Sequence, residues 1–231
     1  MMVIQQLLGM SEARMNMTTF DFDDGNGPVP AHKHPNGGGW VADTATVDET
    51  ACVGSEARVF GNARVYDNAM VGDDAKVSGN AKVGGTARVY NNARVYGDAR
   101  VFGNAKVFDN ALIFGDAKVF GNSWVYSNVR VFGNARVYDN ALVFDNARVF
   151  DNALIFGDAK VFGNAQVYGD ARVFDNAQVY DNARVYNNAK VFGNSWAYDY
   201  AKVFGDVKDF DTSEDIFIEM NGKRYKLVEV E

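Results

Sequence analysis

The chain has 231 residues, a net charge of −7 and 47% hydrophobic residues. That composition excludes a disordered tail, and no apolar run reaches the roughly 18 residues of a membrane-spanning helix. The negative balance argues against binding nucleic acid by backbone neutralisation, and the single Cys52 permits no intrachain disulfide.

Residues 1–40 precede the regular part of the chain. The first 17 lack a basic start and a long apolar core, so no signal peptide is expected and a cytoplasmic location is. Val3 to Met17 reads as a short helix. Asp21 to Gly39 is rich in Gly, Pro and Asp and reads as loop. The whole stretch is expected to act as an N-terminal cap and loop. It contains both histidines of the chain, His32 and His34. At i and i+2 they could chelate a metal or serve as acid and base if the segment were extended. They are weak candidates, and a solvated loop is the plainer reading.

A six-residue repeat, V-[FY]-[GD]-[ND]-A-[RK], then runs from Val41 to Lys208. Over 28 hexads the first position holds 25 Val, two Ile (Ile113, Ile155) and Ala197, and the fifth holds 24 Ala. The sixth position holds 18 Lys or Arg, and the second is Phe or Tyr in all 20 hexads from Tyr90 to Phe204. The phase never slips. Val, Phe and Tyr favour strands, while Gly, Asn and Asp at fixed offsets supply turns. A helix is excluded because turn residues recur every sixth position inside it. The expected unit is therefore a strand A-[RK]-V-[FY] and a two-residue corner. Strand parity puts Ala and Val on one face and the cations and aromatics on the other. Unpaired cations are too costly to bury, so Ala and Val form the interior. The fourth position holds 17 Asn and six Asp, which can stack as ladders along the corners. Positive-φ turn chemistry is the plainer reading of those Asn residues.

Residues 209–231 end the chain. Asp215–Met220 and Lys223–Val228 flank Asn221-Gly222, which predicts a β-hairpin with a type I′ turn and Glu219 opposite Arg224. It is expected to cap the last coil or to form a docking element, because an open solenoid end invites end-to-end growth.

The repeat resembles the hexapeptide-repeat, left-handed parallel β-helix family, in its A-x-V-[FY]-G-N branch of YdcK-like and bacteriophage-type repeats. The resemblance covers Val41 to Lys208. It implies an all-β, three-sided solenoid with three hexads to each coil and about nine coils. The residues supply an independent check. The sixth positions Cys52, Met70, Arg88, Lys106, Trp124, Leu142, Lys160, Gln178 and Trp196 recur at every third hexad and are mostly uncharged, whereas the two other such series are mostly cationic. The two Gly-Asn-Ser-Trp segments, ending at Trp124 and Trp196, lie twelve hexads apart, which is four coils.

Many members of that family are acyltransferases, which the resemblance would extend to this chain through a catalytic histidine in the repeat. No histidine lies there, no insertion breaks the phase, and no catalytic residue, cofactor or metal is expected. The expected function is a non-catalytic scaffold or binding protein that self-associates through an aromatic face. That face comprises Trp124, Tyr126, Leu142, Phe144, Gln178, Tyr180, Trp196 and Tyr198, where aromatic enrichment coincides with loss of charge. Two alternatives stand beside it. One is an acyltransferase-like enzyme with a degenerate site at His32 or His34. The other is a phage-type protein that sequesters a small molecule, such as a nucleotide, between subunits. No nucleic-acid polymer and no membrane are expected as partners.

Overall fold

A computed structural model describes residues 18–205 and the backbone pairing of the strands at Phe217–Met220 and Lys223–Lys226. The expected helix at Val3–Met17 and the turn at Asn221-Gly222 lie outside the described residues. The 28 hexads give 28 short strands, from Trp40–Ala42 to Lys202–Phe204, one per hexad. Each but the last three pairs in parallel with the strand three hexads on, as Trp124 does with Leu142 and Val125 with Val143. Three sheets result. Sheet 1 has 14 strands, ten of them from the repeat. Sheet 2 has nine, from Thr46–Val47 to Lys190–Val191, and sheet 3 has nine, from Cys52–Val53 to Trp196–Ala197. The chain is thus a three-sided parallel β-solenoid of about nine coils.

Parity decides the core. Val at the first position and Ala at the fifth are fully buried along almost the whole rod. The regular strand is shorter than the sequence implies, two residues of type [RK]-V rather than four. Hydrogen bonds still extend the ladder at both ends. Arg94 N–H donates to the Ala111 carbonyl at 2.9 Å and Tyr96 N–H to the Ile113 carbonyl at 3.0 Å, each one coil on. Backbone groups of a coil with no sequence neighbour are thereby satisfied by the next coil.

The corners correct one expectation. The residue at positive φ is the third of each hexad, not the Asn-rich fourth. Every third position from Gly61 to Gly205 is positive, whether Gly, Asp, Asn or Ser. A bond from the Ala N–H to the aromatic carbonyl three residues back closes the turn, as from Ala111 to Phe108 at 3.2 Å. Positive φ at the first central residue alone is the sign pattern of a type II′ turn. Asp fits there for a second reason. Its carboxylate accepts the N–H of the third residue one coil on, as Asp145 does from Gly163 at 3.1 Å and Asp109 from Ser127 at 3.0 Å.

The fourth-position Asn residues have another role. Many of their side-chain amides donate to the side-chain oxygen one coil on, giving Asn104→Asn122→Asn140→Asp158 and Asn134→Asn152→Asp170. An ionised Asp accepts but cannot donate, so it ends a ladder of this polarity. The ladders foreseen in the sequence are present, and the positive φ sits one residue earlier.

The N-terminal part also departs from expectation. Asp21–Gly39 is not all loop. β1 (Thr19–Phe20) pairs antiparallel with β2 (Val29–Lys33), and β2 pairs antiparallel with β3 (Trp40–Ala42), the first repeat strand. A small apolar cluster of Phe22, Ala31 and Ala42, with Phe20, Val29, Trp40 and Phe60 against it, seals this end of sheet 1. Phe20 stacks on Trp40 at 4.4 Å. The segment after His34 seals sheet 3. The Asn36 carbonyl accepts Val53 N–H, and the Asn36 side chain donates to the Ala51 carbonyl at 2.9 Å. Gly37 lies at φ 110°, and a Cβ there would stand 2.3 Å from the Val53 oxygen, so only glycine fits. At the other end Phe217–Met220 pairs antiparallel with Lys202–Phe204, and the hairpin register places Glu219 opposite Arg224. No helix of the described residues is long and apolar enough to cross a membrane.

Candidate interaction surface

Outside the core, the second-position aromatics stack along the rod. On sheet 1 seven rings run without a break from Tyr96 to Phe204, at spacings of 4.8–5.3 Å. Six run from Phe102 to Phe192 beside sheet 2. The coil repeat sets these distances, and each stacked pair adds on the order of 0.5–1.5 kcal/mol. The rings are half-buried, with their faces against one another and their edges outward. The columns begin where space allows. Gly72 leaves room for the Tyr90 ring, which would stand 2.4 Å from a Cβ there, and Gly84 does the same for Tyr66.

Sheet 3 differs. Its column breaks between Phe108 and Tyr126. Trp124 stands edge-on to Phe108 at 6.2 Å, and the Lys106 ammonium lies 3.9 Å from the centre of the Trp124 ring. Above the break the stack resumes through Tyr126, Phe144, Phe162, Tyr180 and Tyr198. Burial in this stack pushes the Tyr126 phenol above its ordinary value, and the Asp145 and Asp109 carboxylates add to the rise.

The structure brings the eight expected face residues onto this one side. Trp124 pairs with Leu142, and Gln178 with Trp196, in register. Lys160 separates the two pairs. Trp124 is 41% exposed, Trp196 60% and Tyr198 42%, while Tyr126, Leu142, Phe144, Gln178 and Tyr180 are half-buried. The tryptophan motif carries a second substitution. In both Gly-Asn-Ser-Trp segments a serine replaces the inward Ala, and its hydroxyl donates to the aromatic carbonyl three residues back. Ser123 is thereby buried with its hydroxyl satisfied.

Two contributors stand outside the expected set. Lys106 reads in the sequence only as a charge, although it lies over Trp124. Tyr200, 71% exposed, stands at a corner beside Trp196 and Tyr198. Its signal is present in the sequence, since it is the one aromatic residue at a fourth position of the repeat.

The two histidines separate. His34 is 4% exposed, and its Nδ1 donates to the Asn36 carbonyl at 3.1 Å. His32 is exposed on β2, and its Nδ1 lies 2.9 Å from the Asp43 carboxylate. Asp43 also lines a cavity of about 390 Å³ with Phe22, Val29, Pro30 and Phe60. Among the described residues no group of three or more His, Cys, Asp or Glu could hold a metal ion. An open groove follows the corner after sheet 3, but Asp73, Asp74 and Asp109 line it, so it does not complement an anionic nucleotide.

The family model for the YdcK β-solenoid repeat matches residues 57–73, 87–103, 93–108, 135–149, 165–177 and 177–193. No curated protein matches the chain. The matched stretches all lie inside the coils described above, on strands and corners of all three sheets. Repeat pattern and three-sheet architecture agree with that match, and the chain is a three-sided β-solenoid whose coils are similar to the YdcK β-solenoid repeat.

Proposed function

We propose that this solenoid is a non-catalytic scaffold that assembles with further copies of itself through the outward face of sheet 3. One observation carries the reading. Trp124, Trp196 and Tyr198, three of the four large apolar side chains exposed among the described residues, lie on that face, and Tyr200 adjoins it. The same row has lost most of its cations, whereas sheets 1 and 2 keep theirs. Exposed aromatics with depleted charge are what an interface core requires. Ladder stacking alone does not account for Trp124 and Trp196, since neither belongs to the stacked second-position column.

Tryptophan fluorescence tests this directly, because two of the three tryptophans are on the face. Quenching by acrylamide should increase on dilution as Trp124 and Trp196 become exposed. Quenching that is the same at every protein concentration contradicts the reading.

A second reading rests on the His32–Asp43 contact. A carboxylate on Nδ1 leaves Nε2 free as a base, the arrangement a transferase with a degenerate site would use. Its test is turnover of a hydroxyl or amine acceptor with an acyl donor. Activity that His32→Ala abolishes would favour it, and no activity in the native chain would remove it.

A further inference from the structure

The N-terminal cap covers a cavity of about 390 Å³ at the start of the rod. Phe22, Val29 and Pro30 of the cap line one side, and Ala42 and Phe60 of the coils line the other. No residue of sheet 3 lines it, so this site does not depend on self-association. The volume falls at the low end of those that hold small organic ligands, roughly 300–1,000 Å³.

The walls are fixed by the fold. β2 pairs with β3, and Asp43 N–H donates to the Pro30 carbonyl at 3.0 Å. The Thr44 hydroxyl donates to the Gly61 carbonyl at 2.5 Å, which ties the first corner to the next coil. Phe22 is fully buried and stacks on Phe60 at 4.9 Å. A guest therefore meets a preformed and mainly apolar surface, which favours an apolar body.

Charge at the mouth selects further. The lining includes two exposed carboxylates, Asp24 and Asp43, and no Lys, Arg or His. Asp24 accepts the Asn26 backbone N–H and the Asn26 side-chain amide, both at 3.0 Å, and these bonds hold its carboxyl below the ordinary value. Each of its oxygens keeps room for a second donor. Asp43 meets His32 Nδ1 through Oδ1, and its Oδ2 has no partner among the described residues. The Arg58 guanidinium does not compensate them, since it pairs with Asp23 and lies over Phe20. An anionic guest would be repelled here, and a bare metal ion would leave the apolar walls unused. A cation carried on an apolar body answers both features, and the Phe22 and Phe60 rings add their own attraction for it.

We propose that this cavity binds a small organic amine, with its ammonium at Asp24 and Asp43 and its apolar body against Phe22, Val29 and Phe60. The test is titration of the full chain at neutral pH with 2-phenylethylamine, followed by ligand-observed NMR. Saturable binding in the millimolar range is expected for so small a ligand. The neutral isostere 2-phenylethanol should bind about tenfold more weakly. Asp24→Asn with Asp43→Asn should weaken the amine by about the same factor. Val29→Trp, which fills the cavity, should abolish binding. Asp73→Asn with Asp74→Asn removes equal charge from the corner groove after sheet 3 and should change nothing. Circular dichroism confirms that the variants keep the coil. Absence of saturable binding overturns the proposal. So does equal affinity for the alcohol, unchanged affinity in the Asp24, Asp43 variant, binding retained by Val29→Trp, or an equal loss in the Asp73, Asp74 variant.

Discussion

Replacing Trp124 and Trp196 together by glutamate is expected to dissociate the assembly and leave the solenoid folded. Both side chains stand outside the core, on strands whose Val and Ala continue to fill it. The fold should therefore tolerate the change, since exposed substitutions cost within about 0.5 kcal/mol. Association should not tolerate it. A central tryptophan contributes on the order of 2 kcal/mol or more to an interface, and the new carboxylates would have to be desolvated. Two such losses weaken association by roughly a thousandfold. Light scattering of the eluting protein reads the mass, and circular dichroism reads the fold. Glutamate at Arg130 on sheet 1 should leave the mass unchanged.

The second large effect separates neighbouring residues. Ala141→Asp should destabilise the rod by about 3–5 kcal/mol, because it leaves an unpaired carboxylate in the core. Leu142→Asp, one residue on, should cost about 1 kcal/mol or less. Ala141 is fully buried between its neighbouring coils, whereas Leu142 is half-exposed on the outward row. Urea unfolding measures both. In a solenoid each coil touches only its neighbours, so the inward variant should also unfold in two steps, split at the damaged coil. Similar losses at both positions would mean that the inside and outside assignments are wrong.

Much of this is legible in the sequence because a strict repeat carries its own register. The unbroken Val and Ala columns identify the interior, and the charge pattern of the sixth positions reveals the three-hexad coil. The eight face residues follow from the same arithmetic. Other features depend on contacts that the repeat does not encode. β2 contains Pro30 and lies close to a glycine run, both common in loops, and it becomes a strand only because β3 offers it an edge. The positive φ of the third position is easily assigned to Asn at the fourth, since both residue types suit turns. Only the inter-coil bonds distinguish a ladder donor such as Asn122 from a turn former such as Asp145. Trp124 stands out in the sequence, but its partner Lys106 does not. Their contact joins adjacent coils, and Lys106 resembles any other charged position in the repeat.

The central claim is that the sheet 3 face joins copies of this chain. Sedimentation velocity of the full chain at micromolar concentration tests it most directly. The account predicts a dominant species heavier than the 25.4 kDa monomer, which the Trp124→Glu, Trp196→Glu variant loses. A single monomeric species across that concentration range would contradict it.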